Sequence, residues 1–247
     1  MSYDLIVSDW NGTLFAPRDD EGLNRAIGRA LLDDAKKHLS IRDILCLRYA
    51  KKEIERRLGE CREGKRPLQE VYEPFNRAIR GKPLTLIHRA VEEYAEEHAY
   101  QVDRRILGPV EEASKKGKKS AILSSSYGYS IETLLERNQM AHLFALIIAN
   151  HLAFQSDGTV YGFAPDTYDT KPETMKKIFF GKLGYREDNT LYLGDSEYDA
   201  SIAEMLPRGH FIVPFLVPDD FREKMATKYG AFAPVTPNDL AAYLRGI

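Results

Sequence analysis

The chain has 247 residues, 43% of them hydrophobic, which suffices for one large domain or for a core domain with a smaller insert. Its 35 basic and 37 acidic side chains leave a net charge of -2, so composition offers no electrostatic reason to expect a nucleic-acid or membrane partner. Cys46 and Cys61 lie in charged, helix-like segments, and the 6 histidines form neither an HExxH motif nor a Cys/His cluster; neither a disulfide nor a zinc site is expected.

The first apolar run, Leu5 to Ser8, reads as a strand, and the stretch VSDWNGTLF continues it from Val7 to Phe15 through an aspartate and an Asn-Gly turn. No basic-then-apolar leader precedes it and no later stretch approaches a membrane span, which gives a cytoplasmic expectation. From about Asp19 to Tyr100 the apolar period becomes helical. Leu23, Ile27, Ala30 and Leu31 recur at three and four, as do Leu47, Ala50, Ile54 and Leu58, and then Leu84, Ile87, Val91 and Tyr94. Glu92, Glu93, Glu96 and Glu97 fall on the opposite, solvated face of the last helix.

Beyond that block, short apolar runs at Ser120 to Leu123, Leu146 to Ala149, Thr190 to Leu193 and Phe211 to Val213 alternate with helical segments. This alternation predicts a parallel, helix-covered sheet. The basic run KKGKK, Lys115 to Lys119, marks a helix ending at Gly117 rather than an anion site. Residues 1–16 and 103–247 are therefore expected to form one α/β core, a doubly wound Rossmann-like sheet, with 17–102 inserted as an all-helical domain. Ligands of such sheets bind at the carboxyl ends of the strands.

Those ends carry Asp9, Ser124, the pair Lys171 and Pro172, and Asp195 with Asp199. Taken singly, each has a structural reading. Asp9 suits a tight turn, and Ser124 to Ser126 could cap a helix starting near Tyr129. Pro172 fits the first position of a helix, and Ser196 and Asp199 have capping-box spacing.

Taken together they resemble the four motifs of the haloacid dehalogenase (HAD) superfamily of phosphoryl-transfer enzymes: aspartate with Gly-Thr, serine, lysine, and GDxxxD, here GDSEYD. ANHLAFQSDGTVYG, Ala149 to Gly162, is similar to a hairpin of the phosphoserine phosphatase-like branch. The resemblance implies a HAD core with a helical cap over the active site, and hydrolysis of a small phosphorylated metabolite. Asp9 would be the nucleophile, passing through an aspartyl-phosphate. Asp9, Asp195 and Asp199, directly or through water, with the backbone carbonyl of Asn11, would hold Mg²⁺. Ser124 and the amide of Ser125 would bind phosphoryl oxygens, Lys171 would pair with the nucleophile and phosphate, and Gly12 and Thr13 would complete the turn around the phosphate.

Asn11 departs from the family pattern, which usually has a second aspartate there as general acid and base. A carboxamide cannot exchange a proton at neutral pH, and such catalysis is typically worth about 10²–10⁴-fold. The accounts left open are a hydrolase of substrates with good leaving groups, a phospho-ligand binding or regulatory module, and an asparagine engineered in place of an aspartate. A 2-haloacid dehalogenase is disfavoured by the acidic pair in GDSEYD, since those enzymes need no metal. The segment Pro17-Arg18-Asp19-Asp20 lacks the glutamate by which phosphoserine phosphatases read their amino acid, so phosphoserine is not the expected substrate. Arg42, Arg48 and Tyr49 are cap residues that could face the site, although exposed or core roles are the default for each.

Overall fold

Strand β1 (Leu5–Ser8) is buried at all four positions, the pattern of a strand covered on both faces. The computed structural model describes residues 3–62, 65, 68–164, 171–215 and 217–246. After β1 come five helices, α1 (Glu21–Lys37), α2 (Ile41–Arg62), α3 (Leu68–Val71), α4 (Glu73–Ile79) and α5 (Leu84–His98). Helix α6 (Arg104–Lys115), capped by the Asp103 carboxylate on the Arg105 amide, leads to β2 (Lys119–Tyr127), α7 (Gly128–Arg137) and β3 (Leu146–Asn150). A hairpin of β4 (Leu152–Phe154) and β5 (Val160–Phe163) precedes α8 (Lys171–Thr174), which runs on as a π-helix over Met175–Lys182. The chain closes with β6 (Thr190–Leu193), α9 (Glu197–Ala203), β7 (Phe211–Ile212), α10 (Asp219–Tyr229) and α11 (Pro237–Gly246). Among the described residues no helix is long and apolar enough to cross a membrane.

Five strands form a sheet in the order β3-β2-β1-β6-β7, with β1 parallel to both β2 and β6, and β6 parallel to β7. The predicted α/β, doubly wound parallel sheet is thus present. Alternation along β1 separates two apolar layers. Leu5 and Val7 join Met175, Phe179, Ala200, Ile202 and Met225 in one buried cluster. Ile6 points to the opposite face, and on that side of the core Ile106, Leu107, Ile131 and Leu134 are buried on α6 and α7, which pack on β2. Each of the Leu, Val, Ile, Phe and Met side chains contributes roughly 1.5–3 kcal/mol by leaving water. The KKGKK run lies at a helix end: Gly117, at φ +85, turns the chain from α6 into β2.

Two compact units divide the chain, one made of Met1–Asp20, Glu97–Ala149 and Asp169–Ile247, the other of Glu21–Glu96 and Asn150–Tyr168. The sequence reading differs here by keeping the hairpin with the core. Backbone hydrogen bonds explain the grouping: Gly81 N–H to Val160 O, Val160 N–H to Lys82 O and Leu84 N–H to Gly158 O stitch β5 to the α4–α5 connection at 2.8–3.0 Å. Leu23, Ile27, Leu31 and Ala35 on α1 and Ile87, Val91 and Tyr94 on α5 are buried, while Glu92, Glu93, Glu96 and Glu97 near the end of α5 are exposed. Cys46 is an exposed free thiol, and the Cys61 side chain lies outside the described residues.

Candidate active site

Because β1 and β6 pair in register, Ser8 beside Leu193, the residues that follow them leave the sheet at the same level. The Asp9 N–H still bonds the Leu193 carbonyl at 2.9 Å, so Asp9 and the Gly194-Asp195 step begin from one point. Strand order also reverses at β1, with β2 and β3 to one side and β6 and β7 to the other, which is where open α/β sheets form their ligand crevice.

The loop after Asp9 is wound tightly. The Trp10 carbonyl accepts the N–H groups of Thr13, Leu14 and Phe15 at 3.2, 2.9 and 2.9 Å, and the Gly12 N–H donates to the Phe15 and Pro17 carbonyls, both at 2.8 Å. The amides of Gly12 and Thr13 are therefore spent within the turn, and the Thr13 hydroxyl is buried without a partner among the described residues. What Gly12 contributes is space: at φ +72, a Cβ there would sit 2.0 Å from Asp195 Oδ2. Trp10 is buried beneath the loop and stacks on Phe15 with centroids 5.5 Å apart.

Lys171, at the start of α8, places Nζ 2.8 Å from Asp9 Oδ2 and 2.7 Å from Asp199 Oδ1. Burial alone would lower the ammonium's pKa, but the Asp199 and Asp9 charges outweigh it and hold Lys171 above the ordinary lysine value. Asp199 is fully buried and each of its oxygens has two donors: Oδ1 accepts from Lys171 and from Tyr192 Oη at 2.8 Å, Oδ2 from the Ser196 N–H at 3.2 Å and Oγ at 2.6 Å. The capping box read from Ser196 and Asp199 is present at the start of α9. Asp9 Oδ1 accepts from the Trp10 N–H at 2.7 Å.

Oxygens of Asp9, Asp195 and Asp199 lie within 4.8 Å of one another. Full charges at that separation repel by about 3 kcal/mol per pair at an effective dielectric of about 20. Burial, opposed by Lys171 and reinforced by Asp199, pushes the Asp9 carboxyl up to about 6. Burial together with the Asp9 and Asp199 charges pushes Asp195 up to about 7. Three carboxylates against one ammonium leave two negative charges, the charge one divalent cation would cancel. The donor set fits a hard ion such as Mg²⁺, with Asp9 and Asp195 as the carboxylates whose oxygens are not saturated by protein donors.

On the neighbouring strand, Ser124 is buried near the end of β2, and its Oγ accepts the Ser126 N–H at 3.1 Å, which leaves its proton to donate. Ser125 is exposed beside it. Asn11 Nδ2 donates to Asp20 Oδ1 at 3.0 Å, and Ser126 Oγ donates to the same oxygen at 2.6 Å. Burial raises the Asp20 carboxyl above its ordinary value while the two hydrogen bonds pull it down. Arg42, Arg48 and Tyr49 are exposed on α2 of the helical unit.

Sequence reasoning missed Tyr192, Asp20 and Ser126. Tyr192 had a usable signal: a phenol on a strand buried on both faces must find an acceptor, and one lies seven residues on. Asp20 had none, because its partners are nine and 106 residues away.

Gly12→Ala combines a strained φ with a collision against Asp195, and is expected to lower the melting temperature by roughly 5–10 °C and to erase stabilisation by Mg²⁺. A second expectation concerns pH. Carboxyls raised in the folded state add stability below their unfolded values, about 4, and lose it as pH rises through about 6 for Asp9 and about 7 for Asp195. In EDTA the melting temperature should therefore fall between pH 5 and pH 8, and millimolar Mg²⁺ should raise it more at pH 8 than at pH 6. Scanning calorimetry checks both, and an equal Mg²⁺ effect at the two pH values would count against an ion at this cluster.

No family model and no curated protein sequence matches the chain. Solved structures do match. A HAD family hydrolase, t0658 from Salmonella enterica serovar Typhi, aligns over 99% of this chain and 72% of its own at 17% identity and TM-score 0.62. A substrate-bound phosphoserine phosphatase aligns over 100% and 99% at 16% identity and TM-score 0.59. Cytosolic 5'-nucleotidase IIIB bound to cytidine aligns over 98% and 86% at 17% identity and TM-score 0.63. Likeness at these identities establishes architecture, and the architecture of this chain is the α/β fold of the HAD family hydrolases.

Proposed function

We propose that the protein is a magnesium-dependent phosphomonoester hydrolase that acts on a small phosphorylated metabolite, in the cytoplasm, through an aspartyl-phosphate at Asp9. The observation that carries this reading is the bridge of Lys171 between Asp9 and Asp199 at 2.8 and 2.7 Å, with Asp195 sharing the cluster. A buried carboxylate paired to a lysine and surplus to local charge balance is the arrangement a phosphoryl-transfer nucleophile requires.

Asp9 attacks phosphorus, the ester P–O bond breaks, and its electron pair departs with the leaving oxygen. Lys171 keeps Asp9 ionised and offers its remaining donor capacity to a phosphoryl oxygen. Ser124 donates its hydroxyl to a second phosphoryl oxygen, with Ser125 next to it at the mouth of the strand. Asp9, Asp195 and the Asn11 carbonyl are the oxygens that would hold Mg²⁺, whose charge when bound screens the nucleophile from the incoming dianion. Asp199 is spent on Lys171, Tyr192 and Ser196, so its part is to anchor the lysine and, through water, the metal shell. Gly12 leaves room for Asp195, and Thr13 closes the turn beneath the phosphate. The proposal assigns the helical insertion after the first loop a cap's part in choosing the leaving group.

Asn11 supplies no proton, which favours acyl, aryl or enol phosphates over alkyl esters. The same carboxamide supports a second reading, in which the site captures a phosphorylated ligand without turnover. The acidic cluster argues against carbon-halogen hydrolysis, which has no use for a metal.

With para-nitrophenyl phosphate, the expected outcome is phosphate release that needs Mg²⁺, stops in EDTA, and falls by about 10³-fold or more in Asp9→Asn. Equal rates with and without EDTA would remove the metal assignment. Tight beryllofluoride binding without turnover of any phosphate ester would select the binding reading.

A further inference from the structure

Asp20 is the residue before α1, where a carboxylate would ordinarily cap the first-turn amides. Among the described residues its carboxylate bonds elsewhere, accepting from Asn11 Nδ2 at 3.0 Å and Ser126 Oγ at 2.6 Å, both on the same oxygen, Oδ1. The Ser126 contact has the length of a charge-assisted O–H···O bond. Ser126 is buried, and its N–H in turn donates to Ser124 Oγ at 3.1 Å. One hydrogen-bonded chain, Asn11–Asp20–Ser126–Ser124, thus joins the loop after β1 to the end of β2.

An oxygen that accepts from Ser126 is an acceptor for Asn11 as well, and this decides which end of the carboxamide faces it. The amino end is held by Asp20, and the amide oxygen is the end left over. We propose that Asp20, supported by Ser126, is a positioning residue for Asn11: it turns Oδ1 of Asn11 toward the reacting group on Asp9, where that oxygen accepts a hydrogen bond from the water that hydrolyses phospho-Asp9. The step balances without a proton carrier at position 11. The water oxygen bonds to phosphorus, the P–O bond to Asp9 breaks with its electron pair returning to the carboxylate, and both water protons leave on the phosphate product, one on the new hydroxyl and one passed to another phosphoryl oxygen. Asn11 orients the nucleophile and exchanges no proton. This inference rests on the phosphohydrolase reading and deepens it, by giving the carboxamide a role specific to the second half-reaction.

The test is single and double substitution, read by steady-state kinetics with para-nitrophenyl phosphate and Mg²⁺ and by mass spectrometry of the quenched phosphoenzyme. Asp20→Ala should lower kcat by about tenfold to a hundredfold and KM in proportion, leaving kcat/KM within about twofold, and should raise the fraction of enzyme trapped as phospho-Asp9. Asp20→Asn, which keeps an acceptor oxygen at the same place, should recover most of the loss and guards against a folding defect in the alanine variant. In an Asn11→Ala background, Asp20→Ala should have no further effect. Equal losses in the two backgrounds, or an unchanged phosphoenzyme fraction in Asp20→Ala, would overturn the positioning role. If turnover depends on Asp9 and Mg²⁺ yet ignores Asp20, this inference alone falls. If wild-type protein shows no Asp9-dependent turnover, the parent reading falls and this one with it.

Discussion

One charge imbalance organises the site. Three carboxylates converge within 4.8 Å, and the ammonium among them, Lys171, bridges Asp9 and Asp199. Burial makes each of these charges expensive unless it is paired, and the pairing is unequal. Asp199 is the better served, because Lys171, Tyr192 and Ser196 occupy both of its oxygens. Burial pushes the Asp9 and Asp195 carboxyls up, opposed at Asp9 by the shared Lys171 and at Asp195 by the charges of Lys171 and Arg18. Under the proposed function a divalent cation and the consumption of the Asp9 charge in the reaction would restore neutrality.

The sheet makes that imbalance possible by fixing where the chains end. Parallel pairing of β1 with β6 delivers Asp9 and Asp195 to one level, and two glycines remove the bulk that would keep them apart. A Cβ at Gly12 would strike Asp195, and one at Gly194 would lie 2.6 Å from Asp199 Cβ. Close approach of like charges is therefore built from backbone, and Trp10, buried and stacked on Phe15, anchors the loop that carries it.

Asn11 fits this frame as a neutral group where a further carboxylate would add to the excess. Its side chain is tied to Asp20, and through Ser126 to Ser124, so the loop after β1 and the end of β2 are cross-braced. The Asp20 carboxylate lies one hydrogen bond from the Asn11 carboxamide. Under the proposed function such an arrangement would trade proton transfer for orientation, which suits phosphate esters whose leaving groups depart without help.

The sheet and the strand-end residues were legible in the chain itself, since period-2 and period-3.6 patterns follow from local geometry, Asp9, Ser124 and Asp195 each follow a recognisable apolar run, and Lys171 opens a Pro-started helical one. Even the capping box at Ser196 and Asp199 was readable, because its partners are three residues apart. Tertiary structure alone decided that the same Asp199 also clamps Lys171 and Tyr192, that β4 and β5 group with the helices through bonds to Gly81, Lys82 and Leu84, and that Asp20 meets Asn11 and Ser126. Those contacts join residues up to 106 positions apart, and hydrogen bonds across such distances leave no periodic trace in a sequence, because only folding brings the donor to the acceptor.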